Sequence, residues 1–186
     1  MASIKRIEGF AIVSEDGMLA DAAGVMPAAL QLPPDQRFFE AALDRADLMV
    51  HGRHSGERQR RSAERWRLIA TRQVDALAPD PTNPWALLWN PAGASLGAGV
   101  AALGLEDPVV AVIGATEVFG LFLDRYDAFY LTRGPRVRLP GGRPVFPGVP
   151  QRTPETVLAA HGLAHTEDIS LDAATGLAVA LWRRRQ

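Results

Sequence analysis

Short apolar runs alternate with segments of helical periodicity along most of the chain. Several of these runs have the length of buried strands and are bounded by turn residues. They are "GFAIVS" (9–14), "DLMVHG" (47–52), "WRLIATR" (66–72), "PWALLWN" (84–90), "PVVAVIG" (108–114) and "DAFYLTR" (127–133). The run at 108–114 is almost wholly β-branched or small, which is typical of a parallel strand buried on both faces.

Between these runs, apolar residues recur at helical spacing. Pro33 and Pro34 favour a helix start, and the apolar positions that follow predict a helix. Three further helices are predicted at 94–104, at 116–125 with Thr116 as the N-cap, and at 153–162. The last of these has Pro154 at its first position and Gly162 just past its end. The segments 18–34 and 134–154 are rich in glycine and proline, and we interpret both as irregular loops.

The last 24 residues predict two strands joined by a turn that contains glycine. Strands that alternate with helices predict an α/β sandwich with a mostly parallel sheet, closed here by the antiparallel C-terminal hairpin. We find no repeat and no low-complexity linker, and 186 residues are typical of one domain, so we expect a single domain over 1–186.

Composition and charge narrow the function classes. A hydrophobic fraction of 47% and a charged fraction of 22% are ordinary for a globular protein. The net charge of -1 argues against nucleic acid as the main partner. The absence of cysteine excludes disulfides and fits a reducing compartment. We find no signal peptide and no apolar run of membrane-spanning length, so we expect a cytoplasmic protein without a membrane partner.

The first candidate for chemistry is Asp35 in "LPPDQRFF" (32–39). One interpretation is structural, because an acid at a helix start accepts free backbone N–H groups and suits the helix dipole. The other is functional: Phe38 and Phe39 line a pocket in which the carboxylate binds a ring's N–H and amino group and supports its protonation. We expect Asp35 to begin the helix and to border a pocket.

Two turns are candidates for anion binding. In "VHGRHSGE" (50–57) a strand ends at a glycine and is followed by an arginine, an arrangement typical of an anion site but also of a solvated basic loop. In "VVAVIGATEVFG" (109–120) a buried strand enters a small-residue turn and then a helix, which is the build of a phosphate-binding junction or of any tight turn. The four histidines show no ligand spacing with acids, so we expect no metal site.

In their order along nearly the whole chain, these segments resemble the dihydrofolate reductase superfamily, which includes the pyrimidine reductases of riboflavin synthesis. The resemblance implies a three-layer α/β/α sandwich. "AIVSEDGML" with "GVMP" resembles the first strand and the loop that covers the substrate, and it places Met26 against the substrate. Asp35 matches the substrate-binding acid, Phe39 an aromatic residue that packs on the substrate, and Thr132 a threonine linked to the acid. Arg65 falls where folate reductases bind the glutamate tail.

The resemblance also implies NADPH as the cofactor. "HGRHSGE" is similar to the turn that binds the NADPH phosphates, and Thr71 and Arg72 fall near the adenosine 2'-phosphate. "VIGATEVFG" resembles the turn beneath the pyrophosphate and nicotinamide. The implied cofactor residues are Gly52, Arg53, His54, Ser55, Thr71, Arg72, Gly114, Ala115, Thr116 and Glu117.

Departures from the family pattern leave the reaction open. The turn after the strand is normally Gly-Gly, often with a cis peptide, whereas this chain has Gly114-Ala115. The tryptophan that usually follows the Met-Pro of the covering loop is replaced by Ala28, and "SEDG" and "LPGGRPVFPG" are closer to the pyrimidine reductases. The predicted function is hydride transfer from NADPH to a pterin such as dihydrofolate or to a related heterocycle. The alternatives are a riboflavin-pathway pyrimidine reductase and a non-enzymatic binding module without cofactor. The expected partner is a small molecule, and the expected state is a monomer or homodimer.

Overall fold

The computed structural model describes residues 3–185, so Met1, Ala2 and Gln186 of the predicted domain lie outside the described residues. Each strand and helix that the apolar runs predicted is present, with its ends moved by a few residues. The strands are β1 Arg6–Val13, β2 Met18–Ala20, β3 Leu48–Gly52, β4 Arg67–Ala70, β5 Leu77–Pro79, β6 Ala86–Trp89, β7 Val109–Val112, β8 Ala128–Arg133, β9 Arg143–Pro144, β10 Leu163–Asp172 and β11 Leu177–Arg184. The helices are α1 Pro33–Leu43, α2 Leu96–Ala102, α3 Thr116–Leu121 and α4 Pro154–Ala160, and short 3-10 turns lie at Ala28–Leu30 and Ser62–Glu64.

The main sheet has nine strands in the order β10-β11-β8-β1-β7-β3-β4-β6-β5. From β8 to β6 all neighbours are parallel, whereas β11 pairs antiparallel with β8 and with β10, and β5 pairs antiparallel with β6. The predicted architecture, a mostly parallel sheet closed by a C-terminal hairpin, is therefore confirmed.

Helices cover both faces of the sheet. On one face, Ala42 and Leu43 of α1 pack against Phe10, Met49 and Ala111 of the strands. On the other face, α2, α3 and α4 share a larger core with the strands. Its fully buried aromatic residues are Phe119, Phe122, Tyr126, Phe129 and Phe146. Burial of each large apolar side chain contributes about 1.5–3 kcal/mol, so these two cores stabilise the three layers.

The loop prediction for 18–34 and 134–154 is wrong in part, because β2 and β9 form a small antiparallel sheet. Met18 pairs with Pro144 and Ala20 with Arg143. A Cβ atom at Gly142 would lie 2.3 Å from the Ala20 carbonyl oxygen, so only glycine allows this approach. The small sheet fixes the start of a loop, residues 21–27, most of which is exposed.

The start of α4 is as predicted from the sequence, whereas the start of α3 is not. At α4, Thr153 caps the first turn by accepting a hydrogen bond from the Thr156 N–H at 3.1 Å, and Gly162 ends the helix with φ +83°. At α3 the N-cap is Ala115, not Thr116 as predicted. The Thr116 hydroxyl instead donates to the Pro144 carbonyl, which links α3 to β9.

Within residues 3–185, no helix combines the length and the apolar character that crossing a bilayer requires.

Candidate active site

Asp35 and Thr132 meet at the edge of the sheet where the parallel strands end. Asp35 lies in the first turn of α1, and Thr132 is the buried penultimate residue of β8. Burial raises the pKa of the Asp35 carboxyl, and a hydrogen bond with the Thr132 side chain offsets part of that rise. The N-cap of α1 is Leu32, and no side chain caps this helix. Asp35 is therefore not the N-cap residue, but it lies in the first turn, where an acid suits the helix dipole, and its carboxyl interacts with Thr132.

Aromatic rings form a wall beside this acid. Phe38 and Phe39 lie three and four residues after Asp35, so all three share a face of α1. The Phe39 ring packs 6.3 Å from Phe10, and the Phe38 ring 5.7 Å from Tyr130. Phe10 and Tyr130 are stacked with centroids 4.8 Å apart. A planar ring bound next to Asp35 would have an apolar surface to lie on.

The two candidate anion turns lie side by side, because β3 and β7 are parallel neighbours. The Gly52 N–H donates to the Gly114 carbonyl at 2.8 Å, and the Ser55 N–H donates to the Gly52 carbonyl at 3.0 Å. A Cβ atom at Gly52 would approach nothing closer than 3.7 Å, whereas Gly114 has φ +120°, which favours glycine. Strands that end at one edge of a parallel sheet place their loops around a shared crevice. The two turns therefore form one continuous backbone surface.

The peptide bond between Gly114 and Ala115 is cis, although the alanine made this geometry the less expected one. Ala115 itself has an extended backbone, φ -94° and ψ -154°, which accommodates any L-residue. Its side chain is half-buried beside Thr116, whereas Glu117 is exposed in the first turn of α3.

The remaining predicted cofactor residues lie at the same edge of the sheet. Arg53 and His54 are exposed directly after β3, and Arg72 is exposed just after β4. Thr71 is buried, and its hydroxyl accepts a hydrogen bond from the Gln73 N–H at 3.2 Å. Two exposed guanidinium groups and one hydroxyl thus flank the paired turns.

The loop 21–27 contains Met26, the predicted substrate contact. The Asp21 carboxylate accepts the Val25 N–H at 2.9 Å and closes the loop tip. Met26 is 38% exposed and Val25 60% exposed. The tip therefore presents apolar side chains that are not covered by the rest of the described chain, residues 3–185.

Arg65 does not have the setting that its predicted substrate role requires. Its guanidinium is buried, and it donates to Asp44 Oδ1 at 2.7 Å and to Glu57 Oε1 at 3.0 Å. Two carboxylates of the protein thus already bind it. Longer contacts, Arg60 to Glu40 at 3.8 Å and Arg61 to Asp44 at 3.9 Å, join α1 to the same segment.

Sequence analysis missed a buried charged cluster beside the turn, here called the Glu57 cluster: His51, Glu57, Ser62, Arg65 and Arg67. Arg67 Nη2 donates to Glu57 Oε1 at 2.6 Å, and the Glu57 side chain is only 2% exposed. The turn at 50–57 was left open between an anion site and a solvated basic loop, and neither interpretation includes a buried carboxylate at Glu57. The available signal was the alternation of strand β4, which turns Arg67 to the same face as its neighbour Met49.

Within residues 3–185, no three His, Cys, Asp or Glu side chains are grouped so that they could hold a metal ion. A surface cavity of about 310 Å³ is lined by Arg133, Glu155 and Asp168, among others, and contains none of the predicted site residues. Asp35 and the two turns lie at the same edge of the sheet, because the parallel strands β3, β7 and β8 all end there and Asp35 contacts Thr132 of β8.

Comparison with known proteins identifies the architecture. No family model and no curated protein matches the sequence. Among solved structures, one match is a protein provisionally assigned to riboflavin biosynthesis, from Shewanella sp. PV-4, with a TM-score of 0.67 and 21% identity over 97% of this chain and 99% of that one. Another is dihydrofolate reductase from Enterococcus faecalis in complex with NADP(H) and RAB-propyl, with a TM-score of 0.65 and 17% identity over the full length of both chains. This chain has the dihydrofolate reductase-like fold.

A third match extends the same fold to a larger enzyme. The chain aligns with a diaminohydroxyphosphoribosylaminopyrimidine deaminase/5-amino-6-(5-phosphoribosylamino)uracil reductase from Thermotoga maritima, with a TM-score of 0.65 and 14% identity. It covers 57% of that chain, whereas 99% of its own length is aligned. The dihydrofolate reductase-like fold thus accounts for the whole of the present sequence, and the predicted superfamily resemblance is confirmed at the level of fold.

Proposed function

We propose that this protein is a reductase that transfers hydride from NADPH to a nitrogen heterocycle, either a pterin or an aminopyrimidine. The observation that carries the proposal is the convergence of Asp35, an acid with a raised pKa, with two glycine turns on one edge of the sheet. Fold alone does not imply function. The arrangement of the site supports the proposal, and the fold is shared with a dihydrofolate reductase bound to NADP(H).

The residues of the chain fit a dinucleotide. The paired turns at Gly52 and Gly114 have no side chain of their own, which favours a close approach of a ligand to their backbone, and their neighbours lie no closer than 3.4 Å to either Cβ position. Arg53 and Arg72 are exposed next to the turns and offer forked donors that suit phosphate oxygens. When bound, NADPH would supply the hydride. The protein would hold the cofactor in position and provide the charged groups that bind its phosphates.

Asp35 would bind the substrate ring and favour its protonation. Below its raised pKa the carboxyl carries a proton, and it can donate that proton to a ring nitrogen that it faces. The Thr132 side chain restricts the orientation of the carboxyl, and Phe39 would pack against the ring. The loop 21–27, with Met26, would exclude water from the cleft.

The first prediction concerns cofactor binding. NADPH at 100 times its dissociation constant should stabilise the fold by about 2.7 kcal/mol. At about 2–4 °C per kcal/mol for a chain of this size, the melting temperature should rise by about 5–11 °C. Arg72→Gln should reduce this rise for NADPH and leave that for NADH unchanged, because the added phosphate loses its guanidinium partner.

Thermal unfolding monitored by fluorescence measures this prediction. Arg185→Gln, which replaces another exposed arginine far along the chain, is the matched control and should behave as the native protein. An unchanged melting temperature at millimolar NADPH would contradict the reductase and would favour the binding module.

The Glu57 cluster argues against a substrate with a glutamate tail. A substrate carboxylate that approached Arg65 would have to displace Asp44 or Glu57, which bind it at 2.7 and 3.0 Å. We therefore infer a ring whose substituent does not bind Arg65. This favours the aminopyrimidine alternative or a simple pterin over dihydrofolate, and the Shewanella protein of the same fold is assigned to riboflavin biosynthesis.

The second prediction follows from this cluster. Asp44→Asn should make Arg65 available and raise kcat/KM for dihydrofolate relative to 7,8-dihydro-6-hydroxymethylpterin by about 10-fold, the effect of one hydrogen bond to a charged group. Glu64→Gln is the control, because Glu64 is exposed and contacts Arg61 without touching Arg65. The rate of NADPH consumption gives kcat/KM for each of the two substrates. A native protein that already prefers dihydrofolate 10-fold would contradict the inference that Arg65 is unavailable to the substrate.

A further inference from the structure

His51 connects the buried Glu57 cluster to the candidate cofactor turn. It is the penultimate residue of β3 and is 4% exposed. Its Nδ1 atom lies 2.8 Å from the Gly52 carbonyl oxygen, and its Nε2 atom lies 3.3 Å from Arg67 Nη1. Each ring nitrogen therefore has one partner, and the two partners differ in chemistry.

These partners determine the tautomer of the ring. A guanidinium group only donates hydrogen bonds, so Nε2 must be the unprotonated acceptor. The single ring proton then lies on Nδ1, which donates it to the Gly52 carbonyl. Burial and the adjacent Arg67 charge lower the pKa of His51, which keeps the ring neutral.

Arg67 is itself held on its other side. Its Nη2 atom donates to Glu57 Oε1 at 2.6 Å and to Ser62 Oγ at 2.9 Å. Glu57 Oε2 accepts the Gln59 N–H at 2.7 Å, so the carboxylate is fixed from two directions. Each member of this chain orients the next, from the loop at Glu57 to the ring of His51.

The Gly52 backbone is where the chain of contacts reaches the turns. Its carbonyl accepts hydrogen bonds from both His51 Nδ1 and the Ser55 N–H, and its N–H donates to Gly114. A rotation of the peptide that follows Gly52 would break the contact with Ser55 and move Arg53. The turn after β3 therefore depends on a donor that only this tautomer of His51 provides.

We propose that His51 is a positioning residue for dinucleotide binding, which orients the Gly52 turn through its Nδ1–H group. The inference rests on the proposed function, because it assumes that this turn binds NADPH. In this role His51 would affect cofactor binding through the Gly52 backbone, without contacting the cofactor.

Two amide substitutions separate the two ring nitrogens. The amide nitrogen of His51→Asn reaches the place of Nδ1, so it retains the donor to Gly52 and loses the acceptor for Arg67. The amide of His51→Gln reaches the place of Nε2, so it retains the acceptor for Arg67 and loses the donor to Gly52. We expect the NADPH dissociation constant to stay within about 3-fold in His51→Asn and to rise about 10-fold in His51→Gln, in line with one lost hydrogen bond.

Calorimetric titration with NADPH and thermal unfolding are measured on all three proteins. A positioning role also predicts that His51→Gln raises KM for NADPH and leaves kcat at saturating NADPH unchanged. If the native protein binds NADPH, equal NADPH affinities of the two variants, or weaker binding by His51→Asn than by His51→Gln, would overturn the inference. Failure of the native protein to bind NADPH would instead refute the proposed function.

A second measurement needs no substitution. In the native protein, ¹⁵N chemical shifts of the His51 ring at neutral pH should show a neutral imidazole with its proton on Nδ1. A proton on Nε2 would contradict the inference even if neither variant folded.

Discussion

Asp35→Asn is expected to lower kcat/KM for NADPH-dependent reduction by about 10²- to 10⁴-fold, the usual contribution of a general acid. Asparagine retains the size of the side chain and its place beside Thr132 but has no proton to deliver to the ring. The effect should lie in the hydride step, so the NADPH dissociation constant should stay unchanged. Steady-state rates and a cofactor titration measure the two quantities separately.

The pH dependence of this variant follows from the raised pKa of Asp35. The protonated acid exists below the raised pKa and is lost above it, so the native rate should fall as pH increases through that value. The variant should lack this ionisation. Because a buried carboxylate is disfavoured when charged, Asp35 also lowers the unfolding free energy of the native protein at pH values above its unfolded pKa of about 3.9. Asp35→Asn should therefore raise the melting temperature at neutral pH.

Asp124→Asn is the matched control for Asp35. Its carboxylate is 84% exposed and pairs with His161, so neither rate nor pH profile should change. Full activity of Asp35→Asn with every pterin and aminopyrimidine tested would remove Asp35 from the mechanism. A loss of activity together with a lower melting temperature would indicate a structural role instead.

Glu57→Ala is expected to cost about 3–5 kcal/mol of unfolding free energy, because it leaves buried charge without a counter-ion. Glu57 is the shared partner of Arg65 and Arg67, and their side chains are 2%, 8% and 5% exposed. The loss is a large part of the roughly 5–15 kcal/mol that stabilises a typical domain. Chemical denaturation at neutral pH measures it directly.

The stabilisation by Glu57 should also depend on pH. Burial opposes its ionisation, but hydrogen bonds from Arg67, the Gln59 N–H and Ser62 outweigh burial and lower its pKa. A depressed pKa gives stability that is complete above the unfolded value of about 4.3 and is lost as pH falls through the folded value. The difference between native protein and Glu57→Ala should therefore shrink below pH 4.

Glu64→Ala provides the comparison for this prediction. Glu64 forms an exposed pair with Arg61 at 3.2 Å, and such pairs contribute about 0–1 kcal/mol. A cost for Glu57→Ala no larger than that for Glu64→Ala would show that the buried arginines find other partners or water.

The regular part of the fold was predictable because its signals are local. Runs such as 108–114 are apolar enough to require burial on both faces, and Pro154 with Gly162 marks both ends of α4. The C-terminal hairpin followed from two apolar strands around one glycine-containing turn. In each case the residues that specify the element lie within it.

The parts that sequence analysis missed depend on partners far along the chain. β2 has three residues and β9 has two, and each becomes a strand because the other lies beside it. Threonine is favoured at N-caps, but the Thr116 hydroxyl donates a hydrogen bond to the Pro144 carbonyl instead. Arg65 carries the charge that a substrate carboxylate needs, and only the folded loop reveals that Asp44 and Glu57 already bind it.

The position of β11 in the sheet has a consequence for synthesis of the protein on the ribosome. β11 lies between β8 and β10, although it follows both in the chain, and Val179 pairs with Thr132. Until β11 has emerged from the exit tunnel, β8 has a bare hydrogen-bonding edge and β10 has no partner. The wall behind Asp35 and Thr132 therefore cannot close before β11 has been synthesised, and messages truncated before the codon of Leu177 should yield polypeptides that aggregate.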